Sequence, residues 1–216
     1  MDIDDETAPL GATDITPSPE PAAIFVNPFE DVAEGDWYYD DVMYVANLGW
    51  MTGISTTPMW FGPDGHLTRA MIVTTLYRME NSPAITGLPN LFIDVAEDEW
   101  YTDAIIWASA NDIIIGYGDG RFGPDDYATL EHLAMIIDRY ADLSGALLPE
   151  LREYLGFDDD ADIADYAKAS VARLYQAAII EGKPGNIFVP RGNATRAEFA
   201  AMLHRYAETR IISGDG

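Results

Sequence analysis

At 216 residues, 48% of them hydrophobic, the chain is long enough to bury a substantial core, and no stretch of it approaches the ~20 consecutive apolar residues that a membrane-crossing helix needs. Twelve basic residues against 37 acidic ones give a formal net charge of −25, which argues against nucleic acid, whose phosphates are held by Lys and Arg, and against an anionic membrane surface. Zero cysteines exclude disulfides and thiolate metal sites, and no metal or other cofactor is expected.

Residues 1–27 form an acidic Pro/Thr/Ser segment without helical or strand periodicity, including Thr16-Pro17-Ser18-Pro19-Glu20-Pro21, the composition of a linker between modules. A unit of roughly 65 residues then recurs three times. The copies occupy residues 28–84, 91–144 and 156–208. They open on Phe29-Glu30-Asp31-Val32, Phe92-Ile93-Asp94-Val95 and Phe157-Asp158-Asp159, spaced 63 and 65 positions apart.

In copy one, Trp37, Asp41, Val42 and Val45 sit at i, i+4, i+5 and i+8, the spacing of one helical face. Copy two repeats it as Trp100, Ala104, Ile105 and Ala108, predicting a helix from about Trp100 to Asn111. Copy three repeats it as Tyr166, Ser170, Val171 and Leu174. An aromatic residue there belongs either to the core, which its place on the apolar face favours, or to a platform for a sugar. Each first helix runs into a glycine-containing stretch, Gly49-Trp50-Met51-Thr52-Gly53, Ile113-Ile114-Ile115-Gly116 or Ala178-Ile179-Ile180-Glu181-Gly182, where a left-handed glycine would stop the helix.

Each copy next carries a phenylalanine two residues before a proline (Phe61, Phe122, Phe188) and a threonine seven residues later (Thr68, Thr129, Thr195). That threonine is the N-cap of a second helix, with apolar residues four, five and eight positions on: Ile72, Val73, Leu76; Leu133, Ala134, Ile137; Phe199, Ala200, Leu203. Ten positions on stands an arginine each time, Arg78, Arg139 and Arg205, suited to the negative end of a helix or to a ring of charge. Between copies two and three, Pro149-Glu150-Leu151-Arg152-Glu153 predicts a short extra helix.

Chemistry concentrates at the second-helix starts. Thr195-Arg196-Ala197-Glu198 is a capping box, which explains Thr195 and Glu198 but not Arg196, a cation in a first turn where the helix dipole opposes it. Copy one keeps that arginine in Thr68-Arg69-Ala70-Met71. A guanidinium beside a helix N-terminus suits a ligand carboxylate, or an acid from a neighbouring copy. Copy two has Thr129-Leu130-Glu131-His132 instead, with Arg121 in the preceding loop as a substitute cation. Lys183, one of two lysines in the chain, follows Gly182 and offers a further cation.

These motifs, together with Trp100-Tyr101 and the run Ile113-Ile114-Ile115-Gly116-Tyr117-Gly118-Asp119-Gly120-Arg121-Phe122-Gly123-Pro124, resemble S-layer homology domains over about residues 28–208. The resemblance implies a mainly α fold: three tandem two-helix repeats in a pseudo-threefold arrangement around a central three-helix bundle, with grooves between adjacent repeats. It also implies an extracellular, non-enzymatic module of a larger polypeptide, attached non-covalently to a secondary cell-wall polysaccharide that often bears pyruvate ketals. The implied site residues are Arg69 and Arg196, with Gly53, Gly116 and Gly182 shaping loops, and Trp37, Trp100 and Tyr166 at the aromatic position. Competing readings are a self-assembling lattice module and a carbohydrate-active enzyme, although 37 acids make carboxylate pairs uninformative. The acidic loops Gly118-Asp119-Gly120 and Asp158-Asp159-Asp160 lack the ligand spacing of a calcium loop.

Overall fold

Each copy folds as a short helix, a loop and a longer helix. The computed structural model describes residues 25–212, so all but the last three residues of the 1–27 linker lie outside it. The helices are α1 (Tyr39–Asn47), α2 (Arg69–Met79), α3 (Thr102–Ala110), α4 (Leu130–Leu143), α5 (Lys168–Gln176) and α6 (Arg196–Ile212), with a 3₁₀ turn at Asp160–Asp162. Among the described residues β-pairing is limited to isolated bridges, and the fold is mainly α.

The second helices start at their predicted caps. The Thr68 and Thr129 hydroxyls accept the amides of Met71 and His132, both at 3.3 Å. The capping box closes in both directions: Glu198 N–H donates to Thr195 Oγ1 at 3.2 Å and Thr195 N–H to Glu198 Oε2 at 2.8 Å. All nine apolar residues predicted to face inward, from Ile72 to Leu203, are fully buried.

The first helices start two residues later than their periodicity suggests. Thr102 Oγ1 donates to Ala96 O at 2.7 Å and accepts from Glu99 N–H at 3.1 Å, holding the approach to α3 in a turn. Tyr101 rather than Trp100 is thereby buried, and Trp100 is left 57% exposed, as Trp37 (64%) and Tyr166 (51%) are in the other copies. The core assignment for these aromatics is therefore corrected. The left-handed helix stop is a glycine in copy one, Gly49, whereas in copies two and three that assignment is corrected, Asp112 and Ala178 taking the position. Gly116 and Gly182 serve packing instead, since an added Cβ would stand 2.6 Å from the ring of Phe92 or Phe157, each copy's opening aromatic. At Gly53 it would meet Trp60 O at 2.9 Å.

No helix forms at Pro149–Glu153. The donors there are drawn to the end of α5: Leu151 N–H bonds Gln176 O at 2.9 Å, and Arg152 Nε bonds Tyr175 O at 2.7 Å with its guanidinium over the Tyr175 ring.

The opening motif has a structural task in every copy. Asp31 accepts both amides of Phe61-Gly62, Asp94 those of Phe122-Gly123 and Asp159 those of Phe188-Val189, all within 2.7–2.9 Å. A carboxylate with two amide donors is a strong clamp. It brings the two phenylalanines of each copy to ring separations of 5.3–5.4 Å.

The copies interlock in cyclic order. Helix α3 packs on α2, α5 on α4, and α1 on α6, so each first helix lies against the second helix of another copy. Three backbone bonds make a closed triangle: Leu67 N–H to Ala194 O, Ala194 N–H to Ala128 O, and Ala128 N–H to Leu67 O, at 2.9–3.0 Å. Farther along, Tyr140 joins α2 through Glu80 Oε1 at 2.7 Å, and its ring lies 5.6 Å from that of Tyr206 on α6.

Candidate functional site

The interlocking creates grooves to which all three copies contribute. The groove of copy one, of about 200 Å³, runs along the loop through Thr52 and Gly53 and the α2 residues Met71, Thr74, Thr75 and Arg78, which lie three, six, seven and ten positions after Thr68. Trp100 of copy two and Arg196 of copy three complete it. The groove of copy three, of about 480 Å³, is built from the same positions: Gly182 and Lys183 in the loop, Glu198, Ala201, Met202 and Arg205 on α6, Trp37 from copy one and Leu130 from copy two. In copy two the corresponding residues are Gly116, His132, Arg139, Tyr166 and Arg69.

The two first-turn arginines are clasps between copies. Arg196 is 7% exposed, donating from Nε to Phe61 O and from Nη2 to Thr52 O, both at 2.7 Å, with its guanidinium 4.5 Å from the Phe61 ring centroid. Arg69 makes the same pattern one copy on, to Phe122 O at 2.8 Å and Ile115 O at 3.2 Å, over Phe122 and Tyr117. Their partners are thus backbone carbonyls of another copy's loop, not an acid. Burial lowers both pKa values, that of Arg196 to about 10, with Asp31 opposing the shift and Arg78 adding to it. The carbonyl contacts explain why a cation occupies a helix first turn that otherwise disfavours it.

The two grooves differ in charge. None of the copy-one lining residues is acidic, while Arg196 and Arg78 both face it. Arg78 is exposed and, among the described residues, enters no ion pair, and the buried Thr74 hydroxyl beside it has no hydrogen-bond partner among them. In copy three, Lys183 pairs with Glu198 at 2.8 Å and Arg205 with Glu181 at 3.1 Å.

In copy two the aromatic is tied down. Tyr166 donates its hydroxyl to Glu131 Oε1 at 2.9 Å and stacks on His132, 5.8 Å away and 16° from parallel. Glu131 is buried, occupies the position of Ala70 and Ala197, and takes the Ala164 amide at 2.9 Å on its other oxygen. Burial and the Glu131 carboxylate raise Tyr166 to about 12, whereas burial and the nearby Arg69 charge lower His132. Among the described residues, His132 Nδ1 and Arg139 Nη1 are buried without hydrogen-bond partners. Arg121 is exposed and paired with Asp119 at 2.8 Å, its guanidinium 5.8 Å from the Tyr117 ring.

The sequence offered Arg78 as a helix-end cation or part of a ring of charge, and gave no sign of Thr74 and Thr75. The signal for Arg78 was present in the recurrence of arginine ten positions after each capping threonine. Among the described residues no three His, Asp or Glu side chains gather as a metal site. Asp119 and Asp159, in the two acidic loops, are already engaged by protein donors.

The family model described as "S-layer homology domain" matches residues 28–70, 91–134 and 156–200. Over 83% of its length the chain is 32% identical to an amylopullulanase of Thermoanaerobacterium thermosulfurigenes, covering 9% of that protein. It is 25% identical over 71% of its length to a cellulosome-anchoring protein of Acetivibrio thermocellus, covering 35% of it. It is 24% identical over 85% of its length to an S-layer protein of Bacillus thuringiensis subsp. finitimus, covering 22% of it. The chain thus spans about a tenth to a third of the length of these relatives.

Proposed function

Because the chain belongs to the S-layer homology domain family and carries three copies of that domain, we propose that it holds a larger surface protein on the bacterial cell wall by binding an acidic wall polysaccharide. The polymer carries carboxylates, as pyruvate ketals do, and the attachment is non-covalent and non-enzymatic. The cellulosome-anchoring and S-layer relatives support a place at the cell surface. The relatives named as enzymes share only a small part of their length with this chain, which fits a module appended to unrelated activities.

The observation that carries the reading is the copy-one groove: two guanidiniums, no acidic wall residue and an exposed indole, in a protein of net charge −25. Low-dielectric walls and unopposed cations concentrate a local positive field, and screening over ~8–10 Å at physiological salt isolates that field from the rest of the surface. A ketal carboxylate meets Arg78 and Arg196 while the sugar ring lies on Trp100.

Retention on purified wall polysaccharide, before and after ketal removal by mild acid, tests this. Wild type is expected to bind the intact polymer, and Arg78→Ala to weaken that binding about tenfold, the effect of losing one charge-assisted hydrogen bond. Equal retention by wild type and Arg78→Ala would overturn the assignment.

A further inference from the structure

We infer that the copy-three groove is a subsite for an uncharged sugar, so that one polymer is gripped at an acidic unit in copy one and at a neutral unit in copy three. This inference rests on the polysaccharide-anchoring reading and adds a second ligand class to it.

The argument starts from position 130. Where Arg196 enters the copy-one groove, the equivalent residue entering the copy-three groove is Leu130, 3% exposed and without charge. The remaining charges cancel locally, Lys183 against Glu198 at 2.8 Å and Arg205 against Glu181 at 3.1 Å. An incoming carboxylate would meet each cation beside the acid that already neutralises it, and would be repelled by that acid. An uncharged hydroxyl group meets no such repulsion. Each paired carboxylate keeps spare lone pairs and each paired cation keeps spare N–H donors, so the wall offers acceptors and donors side by side.

The apolar surfaces suit a sugar as well. Trp37 is 64% exposed, and the Tyr38 ring meets it edge-on at 5.3 Å and 79°. An uncovered indole offers its face to the C–H side of a sugar ring. Met202 and Phe188 supply the rest of an apolar wall. At about 480 Å³ the groove lies within the ~300–1,000 Å³ range of small-ligand sites and is more than twice the volume of its copy-one counterpart. The volume and the uncovered indole admit a sugar ring, and the locally cancelled charges favour a neutral hexose over an acidic one.

The experiment measures binding of the whole chain to intact wall polysaccharide and to the same polymer stripped of ketals by mild acid, at low and moderate salt. Failure of wild type to bind the intact polymer would remove the anchoring reading itself. Given that binding, the stripped polymer should be held more weakly but measurably, with little dependence on salt. Trp37→Ala should lower that residual affinity about five- to tenfold, the scale of one lost aromatic contact. Leu130→Arg, which places a clasp residue where two copies already carry one, should strengthen binding to intact polymer only. Absence of residual binding, insensitivity of that binding to Trp37→Ala in a protein with unchanged melting, or stronger binding of stripped polymer by Leu130→Arg would each overturn the neutral subsite.

Discussion

Arg196 Nη2 donates to Thr52 O at 2.7 Å across 144 residues of sequence, fastening the first turn of the last helix to the first copy's loop. The residue that the motif points to as a ligand contact is therefore also a bolt of the scaffold. Substituting it changes fold and binding together, and the two effects have to be separated.

Arg196→Ala strands the Phe61 and Thr52 carbonyls, and Arg69→Ala those of Phe122 and Ile115. Each substitution should cost about 2–4 kcal/mol and lower Tm by roughly 5–15 °C by calorimetry. Arg78→Ala should stay within about 0.5 kcal/mol of wild type. Lysine at position 196 should recover only part of the loss, because it lacks the planar fork that reaches two carbonyls at once. Equal melting of Arg78→Ala and Arg196→Ala would remove the distinction between ligand contact and clasp.

Glu131 holds Tyr166 by charge and by hydrogen bond. Glu131→Gln removes the charge, so the Tyr166 hydroxyl should titrate closer to the ordinary tyrosine value, down from about 12. Site-resolved NMR titration of the Tyr166 ring checks this, and an unmoved midpoint would mean that burial alone sets the shift.

His132 contributes a pH dependence whose sign follows from its lowered value. As pH falls through the ordinary histidine value of ~6.5, the unfolded chain takes up a proton that the native site still refuses, so native stability is lost on acidification in that window and retained above it. The difference in stability between wild type and His132→Gln should shift against wild type from pH 7 to pH 5. A difference independent of pH would show that the native site protonates as freely as the unfolded chain.

His204 links the first and last helices, with Nδ1 2.8 Å from Asp41 and its ring 4.1 Å from that of Tyr44 in a stacked arrangement. His204→Ala should cost about 1–2 kcal/mol through the lost contacts, measured by urea unfolding at neutral pH. Hydrogen exchange should rise in α1 and α6 before α3 and α4. Uniform acceleration would show that the α1–α6 contact has no separate weakness.

With a net charge of −25, the protein should meet an acidic polymer slowly at low ionic strength and faster at moderate salt, where distant repulsion is screened and the local guanidiniums still act. Stopped-flow association rates that fall steadily with salt would contradict the proposed balance.

The sequence exposed the repeats because packing imposes a period: three capping threonines, nine buried apolar positions and the paired phenylalanines recur at fixed steps. It misplaced Trp37, Trp100 and Tyr166 because helical periodicity cannot show where a helix begins. The Thr102 turn shortens α3 by two residues and turns Trp100 outward. Arg152 misled for a similar reason, its donors being claimed by α5 carbonyls more than twenty residues away. Arg69 and Arg196 were visible as anomalies, but their carbonyl partners lie in another copy, and only the fold brings them within reach. The opening aspartates were visible as a motif without a role until their amide partners, about 30 residues on, were in place.

The triangle of bonds through Leu67, Ala128 and Ala194 uses each residue once as donor and once as acceptor. An open solenoid grows by adding units at an end, where an unfilled face waits. Here no vertex is left vacant. Inserting a fourth copy would mean breaking one side of the triangle, and deleting one would strand a donor and an acceptor. Copy number in this module is thus fixed by geometry, and a longer array could grow only in blocks of three.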